Sequence, residues 1–90
     1  RIMTGISITP RRLADVEAVE TILRRAGVSD LRVRVCREER GGPFLRVEAL
    51  PEEMATVLAC REELQEEGTR RGYRWVTLDL GGYRTGGGVA

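Results

Sequence analysis

Arg32 and Arg34 stand two positions apart in Leu31-Arg32-Val33-Arg34-Val35, a segment that alternates strictly between apolar residues and arginine. On a strand, residues two apart project from the same face. Two planar guanidiniums side by side can hold one phosphate or carboxylate through charge-assisted, forked hydrogen bonds. Arg46 lies in a second alternating segment, Leu45-Arg46-Val47-Glu48-Ala49, and enlarges the same patch if the two segments pair. The plainer reading is a solvated sheet face, and the residues alone leave both open.

A second group lies further along the chain. Asp79 ends another alternating segment, and Gly81-Gly82 then precedes Tyr83 and Arg84. The glycine pair permits close backbone approach or left-handed geometry. Tyr83 offers a ring that can stack on a base, and Arg84 a cation for an anion. The same residues serve equally well to dock another domain. Glu20, beside Val19 and Ile22, is either a boundary carboxylate or the partner of a sheet arginine, because an unpaired buried charge is costly. Together with Glu52 or Glu53 it makes a loose candidate set for a hard cation. Cys36 neighbours Arg34 and Arg37, which would lower the pKa of an exposed thiol; burial would leave it inert.

All 15 basic residues are arginine, set against 14 acidic residues, and the net charge of +1 gives no electrostatic footprint for nucleic acid. A small RNA-binding domain is further disfavoured by the acidic second helix described below. The absence of histidine excludes His-based triads and His-containing metal sites within the chain. Two cysteines make neither a disulfide framework nor a structural zinc site. No Walker loop or dinucleotide fingerprint is present, so no catalytic set is assigned within these residues. No apolar run reaches membrane-spanning length and no basic-then-hydrophobic leader is seen; the expectation is a cytoplasmic protein without a membrane partner. Ninety residues fit one domain. A first residue of Arg1 rather than Met suits a piece of a longer protein.

These groups must be positioned by a small set of elements. Thr9-Pro10 reads as N-cap and N1 of a helix running to about Ala26, with Leu13, Val16, Val19, Glu20, Ile22 and Leu23 on its inward stripe and Gly27 as its stop. The alternating segments 31–35 and 45–49, joined by Arg40-Gly41-Gly42-Pro43, predict an antiparallel hairpin. Pro51-Glu52-Glu53 opens a second helix, carboxylates at its positive end, with Met54, Val57, Leu58, Arg61 and Leu64 inward and an end near Gly68 or Gly72. A third strand follows over Tyr73–Leu80, with Val76, Leu78 and Leu80 on one face and Trp75, Thr77 and Asp79 on the other. The expected fold class is α+β: a small two-layer sandwich of α-β-β-α-β order, a three-stranded antiparallel sheet with two helices on one face, like half of a ferredoxin-like fold. Residues 2–8 form an extended lead-in that could supply a further strand.

The chain resembles the C-terminal domain of the ATP-dependent sacrificial sulfur transferase family (LarE), within the ATP-pyrophosphatase or PP-loop group. The resemblance rests on Arg1-Ile2, Gly5, Ile8-Thr9, the helix with Leu13, Glu17 and Glu20, and the segments Leu31-Arg32-Val33-Arg34 and Arg46-Val47-Glu48. It also includes Tyr73–Leu80 and Gly82-Tyr83-Arg84-Thr85-Gly86. It implies a two-domain enzyme whose PP-loop domain uses ATP and Mg2+ to adenylate a pyridinium carboxylate mononucleotide, with sulfur then donated by a cysteine or, in some members, an iron–sulfur cluster. The product feeds the nickel-pincer cofactor. The PP-loop and the sacrificial cysteine would lie before Arg1, so no ATP or other cofactor is expected on this chain. By the same resemblance, Arg32 and Arg34 match arginines that hold the substrate phosphate, while Glu20, and more loosely Glu52 or Glu53, match acidic positions near a metal. The implied partners are a phosphorylated small molecule, the PP-loop domain and further copies in a homo-oligomer. The continuation Val35-Cys36 and the run Gly86-Gly87-Gly88 depart from the family pattern. A non-catalytic interaction or oligomerisation module is the alternative.

Overall fold

The structure, a computed structural model, describes residues 3–5 and 9–83. Arg84, named above, lies outside the described residues, as does the triple-glycine run. The elements are β1 (Met3–Gly5), α1 (Pro10–Arg25), β2 (Leu31–Glu38), β3 (Gly42–Ala49), α2 (Met54–Ala59), α3 (Arg61–Arg70) and β4 (Val76–Leu78), with a 3-10 turn over Pro51–Glu53. The α+β class and the α-β-β-α-β order hold, and residues 3–5 add a short strand in front.

Helix α1 begins as its sequence dictates. The Thr9 hydroxyl accepts the Arg12 N–H at 3.2 Å, and Pro10 fills the first turn, where no intrahelical partner exists for an N–H. Gly27, at φ +103°, ends it in the left-handed region. Val16, Val19 and Leu23 face the sheet as expected, but Leu13 is 47% exposed and Asp15 turns inward in its place.

The sheet runs β1-β2-β3-β4. β2 and β3 form the antiparallel hairpin, pairing Arg32 with Glu48, Val33 with Val47 and Arg34 with Arg46. The last strand corrects the expectation of a wholly antiparallel sheet: β4 pairs parallel to β3, Arg46 opposite Thr77. The reason is the connection. A helical crossover carries the chain back to the end where β3 began, so the next strand starts in the same direction. β3 and β4 are direct neighbours, giving a mixed sheet.

One face of the sheet carries the core. Leu31, Val33, Val35, Leu45, Val47 and Ala49 pack against Val16, Val19 and Leu23 of α1, Val57 of α2 and Leu64 of α3. The second helix is not continuous: Cys60 separates α2 from α3, and its N–H bonds to Val57 O at 3.0 Å. Leu58 and Arg61, expected inward, are exposed. Gly68 lets α3 approach the sheet, since a Cβ there would meet Val76 Cγ2 at 2.6 Å.

A buried polar knot fixes where the C-terminal segment starts. Asp15, 2% exposed, accepts hydrogen bonds from Tyr73 OH at 2.6 Å and Arg71 Nη1 at 2.9 Å. Arg71 Nε also donates to Glu67 at 2.5 Å. Burial would raise the Asp15 carboxyl, but the bonds from Tyr73 and Arg71 and the charge of Arg11 hold it below the usual carboxylate value. Burial, with the Asp15 bond, raises the Tyr73 phenol. The knot joins α1 to the end of α3 and pins Tyr73 in the core.

Candidate functional site

Strand alternation sends Arg32, Arg34 and Cys36 of β2, and Phe44, Arg46 and Glu48 of β3, to the face without helices. The parallel register adds Thr77, opposite Arg46, to that face. From Tyr73 the chain tracks β3 closely, through bonds from Arg74 N to Pro43 O at 2.9 Å, Leu45 N to Trp75 O at 3.0 Å and Asp79 N to Val47 O at 2.8 Å. Only Val76–Leu78 forms a regular strand, shorter than the Tyr73–Leu80 span that alternation predicts.

Past β4 a tight turn places the aromatic group. The Asp79 side chain accepts from Gly81 N at 2.8 Å, and Gly82 N bonds to Asp79 O at 3.0 Å. Gly82 sits at φ +83°, where a Cβ would lie 3.1 Å from Ala49 O. Glycine suits this left-handed position, and a side chain there would also crowd the Ala49 carbonyl. The turn ends with Tyr83 N bonded to Ala49 O at 2.8 Å, which brings the Tyr83 ring beside β2. The Arg32 guanidinium carbon then lies 5.5 Å from the ring centroid, a cation–π distance.

At the centre of the face, one carboxylate is shared. Glu48 Oε2 accepts from Arg34 Nε at 3.2 Å and from Arg46 Nη2 at 3.1 Å. Asp79 Oδ2 lies 3.8 Å from Arg46 Nε, beyond hydrogen-bond reach, and that buried nitrogen has no partner among the described residues. The Arg34 side chain is 43% exposed while Glu48 is almost covered. The arginine pair of β2 therefore shares one face, each member already holding an internal partner: Arg32 the Tyr83 ring, Arg34 the Glu48 carboxylate. At the far end, Phe44 packs obliquely on Trp75 at 6.4 Å between centroids, with the Arg74 guanidinium 4.7 Å from the Trp75 ring.

Cys36 is buried. Its thiol is pushed up by burial, an effect the charges of Arg46 and Arg34 only partly offset, so it stays protonated and a poor nucleophile. The acidic residues named as metal candidates are not gathered. Among the described residues no three His, Cys, Asp or Glu side chains converge in a way that could hold an ion. Glu53 instead caps the loop between α1 and β2, accepting Ser29 N, Ser29 Oγ and Asp30 N at 2.9–3.4 Å. Those bonds, chiefly the one from the Ser29 amide, hold its carboxyl below the usual value. Among the described residues Glu53 is thus engaged with Ser29 and Asp30, and Glu20 and Glu52 belong to no three-residue ligand cluster.

Sequence reasoning missed the Asp15 knot and the shared role of Glu48. The first has no local signal, since its partners lie 56 and 58 residues away. The second had one: Glu48 sits two residues from Arg46 and directly across from Arg32. A cavity of about 260 Å³ lies on the opposite, helical side, lined chiefly by Val57, Leu58, Arg61, Leu64, Val76 and Leu78. No helix among the described residues is long and apolar enough to cross a membrane.

No protein-family model matches the chain. The chain is similar to the pyridinium-3,5-bisthiocarboxylic acid mononucleotide synthase of Lactiplantibacillus plantarum, with 31% identity over 86 residues. That similarity covers 96% of this chain but 29% of the synthase, so the chain spans less than a third of the length of this curated relative. The similarity supports a relation to enzymes of the LarE type over nearly the whole of these residues.

Proposed function

We propose that this chain is the substrate-binding and assembly domain of an ATP-dependent sulfur transferase acting on a pyridinium carboxylate mononucleotide in nickel-pincer cofactor biosynthesis. The observation that carries the reading is the shared face of Arg32 and Arg34 with the Tyr83 ring at its edge, in a chain similar to a mononucleotide synthase. A phosphate monoester suits the outer edge of the two guanidiniums, and an aromatic ring suits the flat pyridinium beside it. Arg46 and Asp79 support Arg34 and the turn. Such groups bind and orient; they make no bond. Adenylation with ATP and Mg2+, and the sulfur step, belong in this reading to a PP-loop domain outside these residues, in a cytoplasmic homo-oligomer.

Titration of the chain with nicotinic acid mononucleotide, a pyridinium carboxylate mononucleotide, tests the reading through the fluorescence of Trp75. A saturable change that is lost in the Arg32→Ala/Arg34→Ala double variant is expected. A folded wild-type chain that gives no response to this compound or to any other pyridinium mononucleotide overturns it.

A second reading, a non-catalytic interaction module, draws on a specific observation: Arg34 is already paired with Glu48, while Leu58 and Leu80 are exposed near β4. It predicts a stable dimer or larger assembly in solution with no affinity for phosphate esters.

A further inference from the structure

We infer that Glu48 is a built-in counter-anion that sets the affinity of the open face for phosphate, an inference that rests on the phosphate-binding reading above. Both inner guanidinium bonds converge on one Glu48 oxygen, which fills the position between Arg34 and Arg46 that an anionic group of a ligand would otherwise take. At the centre of the face, the guanidiniums of Arg34 and Arg46 stand against the carboxylates of Glu48 and Asp79, with Arg32 set apart over the Tyr83 ring. A phosphate reaching the exposed edge of Arg34 therefore meets a guanidinium already paired through its Nε, with a like charge just behind it. Among the described residues Arg34 donates only through its Nε, so the Nη groups of this partly exposed guanidinium are donor capacity that the carboxylates of the face do not use. The carboxylate thus weakens the binding of every anion, and a ligand must add contacts elsewhere, as with the Tyr83 ring, to bind well. Such a device lowers the affinity for free and attached phosphate alike, so that occupancy at a given concentration depends on the contacts the rest of the ligand adds.

This role and a merely structural one predict opposite signs. If Glu48 only positions the arginines, removing its charge disorders them and weakens anion binding. If it competes with the ligand, removing its charge strengthens binding. The test is calorimetric titration of the chain with methyl phosphate at low salt, for wild type, Glu48→Gln and Glu48→Met. The methionine provides a second neutral variant, since buried ion-pair members are often replaced by apolar residues of similar volume without loss of fold. Both neutral variants are expected to bind about fivefold to tenfold more tightly, the scale of one like charge a few ångströms away in a largely aqueous setting. Unchanged or weaker binding by a folded neutral variant overturns the inference, and where wild type still binds it leaves the phosphate reading standing. Failure of both variants to fold overturns it too, because Glu48 is then a structural requirement. No binding by any of the three removes the phosphate reading itself, and the inference with it.

Discussion

The two arginine–carboxylate networks of this domain are built from the same residue types and differ in what they leave over. In the knot around Asp15, the carboxylate is buried and both its oxygens are used, by Tyr73 and Arg71, while Arg71 spends its other edge on Glu67. On the open face, Arg34 and Arg46 share the Glu48 carboxylate while Arg32 lies over the Tyr83 ring, and Arg34 stays partly exposed, bonded among the described residues only through its Nε. A saturated network is a fastener; one with spare donors can take a ligand. The first also serves the second, because it fixes Tyr73, from which the chain runs along β3 to the turn that delivers Tyr83 to Arg32.

That division can be broken at either network. Asp15→Ala should produce the largest effect, a loss of about 2–3 kcal/mol of unfolding free energy in denaturant titration, since it strands a buried phenol and part of a guanidinium. A loss below about 0.5 kcal/mol would mean that the knot fastens nothing. Arg34→Ala should show the reverse profile. Its partly exposed pair contributes at most about 1 kcal/mol to folding, while affinity for a phosphate ester should fall about tenfold or more. Equal losses of stability and affinity in both variants would erase the contrast.

Acid sensitivity gives the smallest effect. The Asp15 carboxyl is held below its ordinary value in the folded state, so its contribution is fully present above the unfolded pKa of about 3.9 and is lost as pH falls through the lower folded value. Glu67, held low first by its bond from Arg71, acts in the same direction. Unfolding free energy measured across this acid range should therefore fall less steeply in Asp15→Asn than in wild type. Identical slopes would remove Asp15 from the account.

Much of this architecture is legible because its causes are local. Thr9-Pro10 and Gly27 bound α1 through capping chemistry that needs no tertiary partner, and the alternation in 31–35 and 45–49 dictates both the hairpin and the shared face of Arg32, Arg34 and Arg46. What escaped depends on distant residues. The direction of β4 follows from the crossover rather than from its own alternation, which reads the same in either direction. Leu13 yields the inward position to Asp15 only because Tyr73 and Arg71 arrive from the other end of the chain. Glu53 reads as a helix-dipole carboxylate or a metal ligand, yet Ser29 and Asp30 claim it. The cation–π pairing of Arg32 with Tyr83 requires the Asp79–Gly82 turn, whose glycines are visible in sequence while their destination is not.

The most direct measurement is a nuclear magnetic resonance titration of the arginine Nε–Hε signals with nicotinic acid mononucleotide. A phosphate-holding open face should move the Arg32 and Arg34 signals saturably, with Arg46 following, and leave Arg71 where it was. Signals of Arg32 and Arg34 that stay fixed at saturating ligand, or shifts confined to Arg71 and its neighbours, would contradict the assignment.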